Sequence, residues 1–165
     1  MPPKRPLLIA ALVLAACSGD DDDAEPAPTT APPTGCPVTV ASVSEALARP
    51  VGVDPDAAGD RSCAFLGEGE GGAGARVEVV AHSLEEESFG SILEDVERRS
   101  GPTVLLPDGL VDGAERGWIA TVGRAVQVGA ADDETLVVVA VTDPLLDAEA
   151  AEAVAARLAG EVLAG

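Results

Sequence analysis

Residues 116–141 read RGWIATVGRAVQVGAADDETLVVVAV, and the fold turns on how this stretch is divided. Three apolar runs are separated by two short connections. The run 116–122 sets Trp118, Ala120 and Val122 on one side, with the period of two that marks a strand. The run 125–130 carries Val126 and Val128 in the same way. The run 136–141 is almost wholly apolar, as expected of a central strand covered on both faces. Gly123-Arg124 and Asp132-Asp133-Glu134 are short enough to be hairpin connections. Three consecutive antiparallel strands are therefore expected.

Upstream, 62–66 reads as a strand, and 76–81 places Val77, Val79 and Ala81 on one face. A glycine-rich connection over 68–74 joins them into a second hairpin. Ser42-Val43-Ser44-Glu45 fits an S-x-x-E capping box and predicts a short first helix ending near Arg49-Pro50. A loop rich in turn formers follows, with Gly52, Asp54-Pro55, Asp56 and Gly59. Ser83-Leu84-Glu85-Glu86 is a second capping box, ahead of Phe89, Ile92, Leu93 and Val96 at helical spacing. Glu94 with Arg98, and Asp95 with Arg99, are i,i+4 pairs on the wet side of that helix, which Gly101-Pro102 ends. Residues 103–113 form a loop with Asp-Gly turns at Asp108-Gly109 and Asp112-Gly113.

Downstream, Asp147 caps a last helix through Leu163, with Ala150, Val154, Leu158 and Val162 in one stripe. Asp143-Pro144 offers an alternative start one turn earlier. The order α-β-β-α-β-β-β-α predicts an α+β domain over 36–165: an antiparallel sheet of about five strands with helices packed on one face.

The N-terminal part has a different character. Lys4 and Arg5 precede an apolar run over 7–14, and Ala15-Ala16 lead to Cys17. These are the parts of an export signal over 1–16. The apolar run is too short to cross a hydrocarbon core, which takes about 20 residues. A cut by the ordinary signal peptidase after Ala-x-Ala is the alternative. Leu14-Ala15-Ala16-Cys17 placed directly after the apolar run favours a lipobox, with Cys17 the lipidated residue. The segment 17–35 that follows holds Asp20 to Asp23 and then four prolines, a composition that predicts an extended, unstructured tether.

The chain has 165 residues and a formal charge of −19. Removing the first 16 residues takes away Lys4 and Arg5 and no acid, which leaves 8 basic against 29 acidic residues. A surface this acidic argues against nucleic acid, whose binding rests on Lys and Arg neutralising phosphates. It argues equally against lying flat on anionic lipid. With Cys17 assigned to lipid, Cys36 and Cys63 remain as an even pair in an exported chain, and we expect a disulfide between them. Two buried thiols are the alternative.

Taken together, these features resemble the small uncharacterised lipoproteins of actinobacteria, a domain-of-unknown-function family. The residues that carry the resemblance are Cys17, the Pro/Thr-rich tether, Cys36 and Cys63 at the start of a strand. Gly109, Gly113-Ala114, Trp118 and the hairpin from Arg124-x-Val126-x-Val128 to 136–141 complete it. The layout is similar to PsbP-like domains and to the extracellular sensor domains of mycobacterial receptor kinases. The resemblance implies a diacylglyceryl thioether on Cys17, cleavage before it and N-acylation. It brings no catalytic residues.

Several short motifs suggest chemistry. Gly67-Glu68-Gly69-Glu70-Gly71-Gly72 matches G-x-G-x-x-G, but a strand rather than a helix is expected next, and its two glutamates would repel phosphate. His82, the one histidine, has Glu85, Glu86 and Glu87 close by, yet one imidazole among acids is not a tetrahedral metal set. Asp54-x-Asp56-x-x-Gly59-Asp60 resembles part of a calcium loop, with Ala58 at a ligand position and Phe65 where a bidentate acid should stand. No serine sits in a G-x-S-x-G elbow. Trp118 suits a core position or a pocket wall.

No catalytic, cofactor-binding or metal residues are therefore assigned, and no cofactor is expected. We expect a non-enzymatic binding or accessory domain, lipid-anchored at the extracytoplasmic face of the cell membrane. Its partner is an envelope protein or a small ligand, met at the open sheet face or at the loops 50–62 and 101–115. The alternatives are an envelope hydrolase with unmarked carboxylate chemistry and a purely structural envelope protein.

Overall fold

A computed structural model describes residues 35–57, 59, 61–67, 74–85 and 88–165. Cys17, the signal segment and the tether through Thr34 lie outside these residues. Among the described residues the chain runs α1 (Val40–Leu47), β1 (Val51–Val53), a 3-10 turn (Pro55–Ala57), β2 (Ser62–Gly67) and β3 (Arg76–Ser83). It continues through α2 (Phe89–Ser100), β4 (Val104–Leu105), β5 (Arg116–Val122), β6 (Ala125–Ala131), β7 (Thr135–Thr142) and α3 (Ala148–Leu163). No described helix is long and apolar enough to cross a membrane.

The strands form one antiparallel sheet in the order β1-β2-β3-β7-β6-β5-β4. The α+β class and the antiparallel sheet are as expected, and β7 is the central strand that its apolar run predicted. The sheet has seven strands rather than about five. The two additional strands, β1 and β4, are three and two residues long and lie at opposite edges. Runs that short carry no readable alternation.

The chain path explains the strand order. After β3 it crosses the sheet through α2 to the far edge, starts again at β4, and returns by two hairpins until β7 pairs with β3. That pairing is long, from Arg76 opposite Thr142 to Ser83 opposite Thr135.

The expectation that all helices share one face is corrected by α2. On the first face Phe65, Val77, Val79, Val128, Val137, Val139 and Val141 are fully buried beneath α1 and α3. On the second face Trp118, Ala120, Ala131 and Leu136 are buried against Phe89, Ile92, Leu93 and Val96 of α2. The physical reason lies in β5 to β7, whose alternate residues are apolar in both phases, so that each face needs cover.

The helix caps also depart from the expected boxes. Thr39 caps α1, its hydroxyl accepting from Ser42 N at 3.1 Å. Ser88 caps α2 and accepts from Ser91 N at 3.2 Å. Ser83 is the last residue of β3 and is paired with Thr135, so its backbone is extended inside the sheet. Asp147 caps α3 as expected, accepting from Ala150 N at 2.8 Å. The alternative start at Asp143 is not used: its carboxylate accepts from Leu145 N at 2.8 Å and pairs with Arg49.

Covalent and ionic ties hold the first face. Cys36 and Cys63 are bonded, with Cα atoms 5.5 Å apart, which fastens the approach to α1 onto β2. The Arg49 ion pair with Asp143 fastens the end of α1 to the β7–α3 turn, and the Asp143 side chain is fully buried. Arg157 of α3 meets Glu45 of α1 at 2.7 Å.

Candidate functional site

Among the described residues α2 covers the second sheet face only in part, and the strip beside it is the candidate site. Its geometry follows from the register. Val80 pairs with Val138, Val138 with Gly129, and Gly129 with Trp118, so these four residues form one row across β3, β7, β6 and β5. The indole of Trp118 lies over Gly129: a Cβ built there would stand 2.3–2.5 Å from three ring carbons. At that end of the row α2 closes down, with Phe89 edge-on to Trp118 at 5.3 Å and Arg116 over the Phe89 ring at 5.2 Å. At the other end, Val80 and Val138 are half-buried.

Between them lies a groove of about 830 Å³. Its floor is Val80, His82, Val138, Gln127 and Val122, from four adjacent strands. Its wall is the flank of α2, where Ile92 and Val96 face the floor and Ser88 and Ser91 add hydroxyls. Its rim carries Glu94, Asp95, Arg98 and Arg99. Four strands span three inter-strand spacings, roughly 14 Å in all, so the floor is elongated. The helix that forms the wall has no fully buried residue. Its packing rests on the partly buried Phe89, Ile92, Leu93 and Val96.

At the rim, Asp95 serves two guanidinium groups. Arg98 reaches Asp95 Oδ1 at 2.9 Å, and Arg99 pairs with Asp95 Oδ2. Both arginines are more than two-thirds exposed, at 71% and 73%, so neither bridge contributes much to stability. One carboxylate offers about four lone-pair positions to ten guanidinium N–H donors, so it cannot engage most of them. A second recess of about 420 Å³ adjoins the groove at His82, between Arg61, Glu85 and Glu134.

Trp118 Nε1 is buried and has no hydrogen-bond partner. A buried N–H left this way costs about 1–3 kcal/mol.

Other residues singled out from the sequence fall elsewhere. Asp54 is spent on the fold: Asp56 N donates to its Oδ1 at 3.2 Å and Arg76 to its Oδ2 at 2.7 Å. The Arg76 guanidinium is held protonated above its ordinary range, first by its hydrogen bond to Glu78 and then by that to Asp54. Phe65 is fully buried in the first-face core. Ala58, Asp60, Glu86, Glu87 and residues 68–73 lie outside the described residues. After Gly67, the next described element is strand β3, without the helix that a dinucleotide loop requires. No group of three or more His, Cys, Asp or Glu side chains among the described residues is placed to hold a metal ion. Trp118 takes the core role, fully buried in the second-face core and in the same cross-strand row as Val138. Of the loops expected to be working surfaces, 51–53 is an edge strand and Val111 is buried.

The sequence reading did not single out Val80, Gln127, Val138, Arg98 or Arg99 as site residues. One signal for the floor was present. Gln127 is the polar residue between Val126 and Val128, in a strand otherwise made of Ala, Val and Gly. Comparison of the chain with protein-family models, with curated proteins and with solved structures gives no match.

Proposed function

We propose that this chain is a lipid-anchored protein of the extracytoplasmic membrane face, and that its folded part is a non-enzymatic binding domain for a small ligand. The observation that carries the binding assignment is the groove beside α2. It has the volume of small-molecule sites, roughly 300–1,000 Å³, and its lining combines aliphatic side chains with polar and charged ones. The location rests on the lipobox-like run ending at Cys17, and the Cys36–Cys63 bond is in keeping with an oxidising compartment.

Two measurements test the two halves separately. Expressed in a bacterial host, the wild-type chain should fractionate with membranes, and Cys17→Ala should be lost from the lipid-modified pool. Retention of acyl label by Cys17→Ala would remove the anchor assignment. For binding, anilinonaphthalene sulfonate should give saturable fluorescence with the folded chain, reduced by Val138→Glu or by Ile92→Glu. Unchanged fluorescence in both variants would remove the groove as the binding site.

A further inference from the structure

The geometry points to a particular ligand for this groove: an amphiphile with one aliphatic chain and an anionic head, the chain lying along the sheet and the head at Arg98 and Arg99. This inference rests on the groove being a binding site and adds the class of ligand.

Three features select the class. The first is the lining. The apolar lining is Val80, Val122, Val138, Ile92 and Val96, all aliphatic, and the one ring among the lining residues is the imidazole of His82. A hydrocarbon chain makes dispersion contacts along such a surface. The second is shape. The floor crosses four strands in a row, so the space is long and favours an extended chain. The third is charge. The chain carries −19 overall, a field that repels anions in general. Against that background two adjacent arginines share one aspartate at the rim. The remaining donors of those guanidiniums match a carboxylate or phosphate head group in fork geometry.

Asp95 then acts as a stand-in for the head group. It occupies the arginines while the groove is empty and competes with an arriving anion. Removing the competitor should tighten binding, an outcome that a purely structural Asp95 would not produce.

Trp118 is the one tryptophan, and the chain has no tyrosine. Emission therefore reports on a single site, in the same cross-strand row as Val138. The test uses the full chain in phosphatidylcholine vesicles at physiological salt, where charge effects are screened within about 8 Å. Decanoate is the probe, and decyltrimethylammonium is its cationic counterpart.

Decanoate should change Trp118 emission saturably. Each methylene added between octanoate and decanoate should tighten binding by roughly fourfold. R98Q/R99Q should weaken decanoate at least tenfold, D95N should tighten it several-fold, and Arg157→Gln on the opposite face should leave it unchanged. Equal binding of the cation, or no loss in R98Q/R99Q, would overturn the anionic head while leaving a binding groove in place. A full response to phosphatidylglycerol vesicles without decanoate would overturn the free amphiphile in favour of a membrane surface. Absence of a saturable response to either probe would overturn this inference together with the groove reading beneath it.

Discussion

Gly129 and Trp118 face each other across β6 and β5, and the indole occupies the space that a side chain at Gly129 would fill: the nearest ring carbon lies 2.3 Å from an ideal Cβ at that position. A glycine here is a packing requirement, because the largest side chain of the second-face core lies flat on its neighbouring strand. Gly129→Ala should therefore destabilise the fold by about 1–3 kcal/mol through overpacking. The cost should shrink by more than half in a Trp118→Leu background, because residues in direct contact do not act additively. Denaturant titration of the four members of the cycle measures this coupling, and additive costs would show that the contact does not limit the packing.

The Cys36–Cys63 bond closes a separation of 27 residues. On the chain-entropy account, its loss should cost on the order of 3–4 kcal/mol. Cys36→Ala/Cys63→Ala should lower the denaturation midpoint by the amount that reductant lowers it in the wild type. A reductant-insensitive wild type would mean that the bond is not formed in solution.

Arg49 and Asp143 form an ion pair in which the aspartate side chain is wholly enclosed. Arg49→Met should destabilise by about 3–5 kcal/mol, because it leaves a buried carboxylate without its partner. Arg49→Met/Asp143→Asn should recover a good part of that loss, since the amide keeps its shape without the charge. Equilibrium unfolding of the single and double variants compares the two, and a double variant no better than the single would exclude stranded charge as the cause.

Ser88 caps α2, whereas Ser83, which the S-x-x-E pattern favours, sits in the sheet. Ser88→Ala should cost about 1 kcal/mol and loosen the groove wall. Ser83→Ala should stay within about 0.5 kcal/mol. Amide exchange along α2 separates the two, and the reverse ranking would restore the cap to Ser83.

The capping residues illustrate what residue order can and cannot reveal. Thr39 and Ser42 lie three positions apart, and either has the chemistry of a cap. Ser83 and Ser88 present the same ambiguity five positions apart. The choice at Ser83 is made by Thr135, more than fifty residues later, whose pairing extends β3 through that residue. A local pattern contains no trace of that partner. The groove poses the same problem at larger scale. Val80, Gln127 and Val138 each look like ordinary strand residues, and they become one floor only after β7 inserts between β3 and β6.

Periodicity and turn chemistry alone were enough to recover the β5–β6–β7 meander, the β2–β3 hairpin, the Asp147-capped helix and the central place of the valine-rich strand. These rest on pairings between strands adjacent in the sequence, or on an apolar demand that any burial satisfies. Folding alone decided which face each helix covers, which serine ends which strand, and that α2 covers its face only in part. Those outcomes depend on pairings between distant strands, and hydrophobic burial sets how much surface must be covered without naming the segment that covers it.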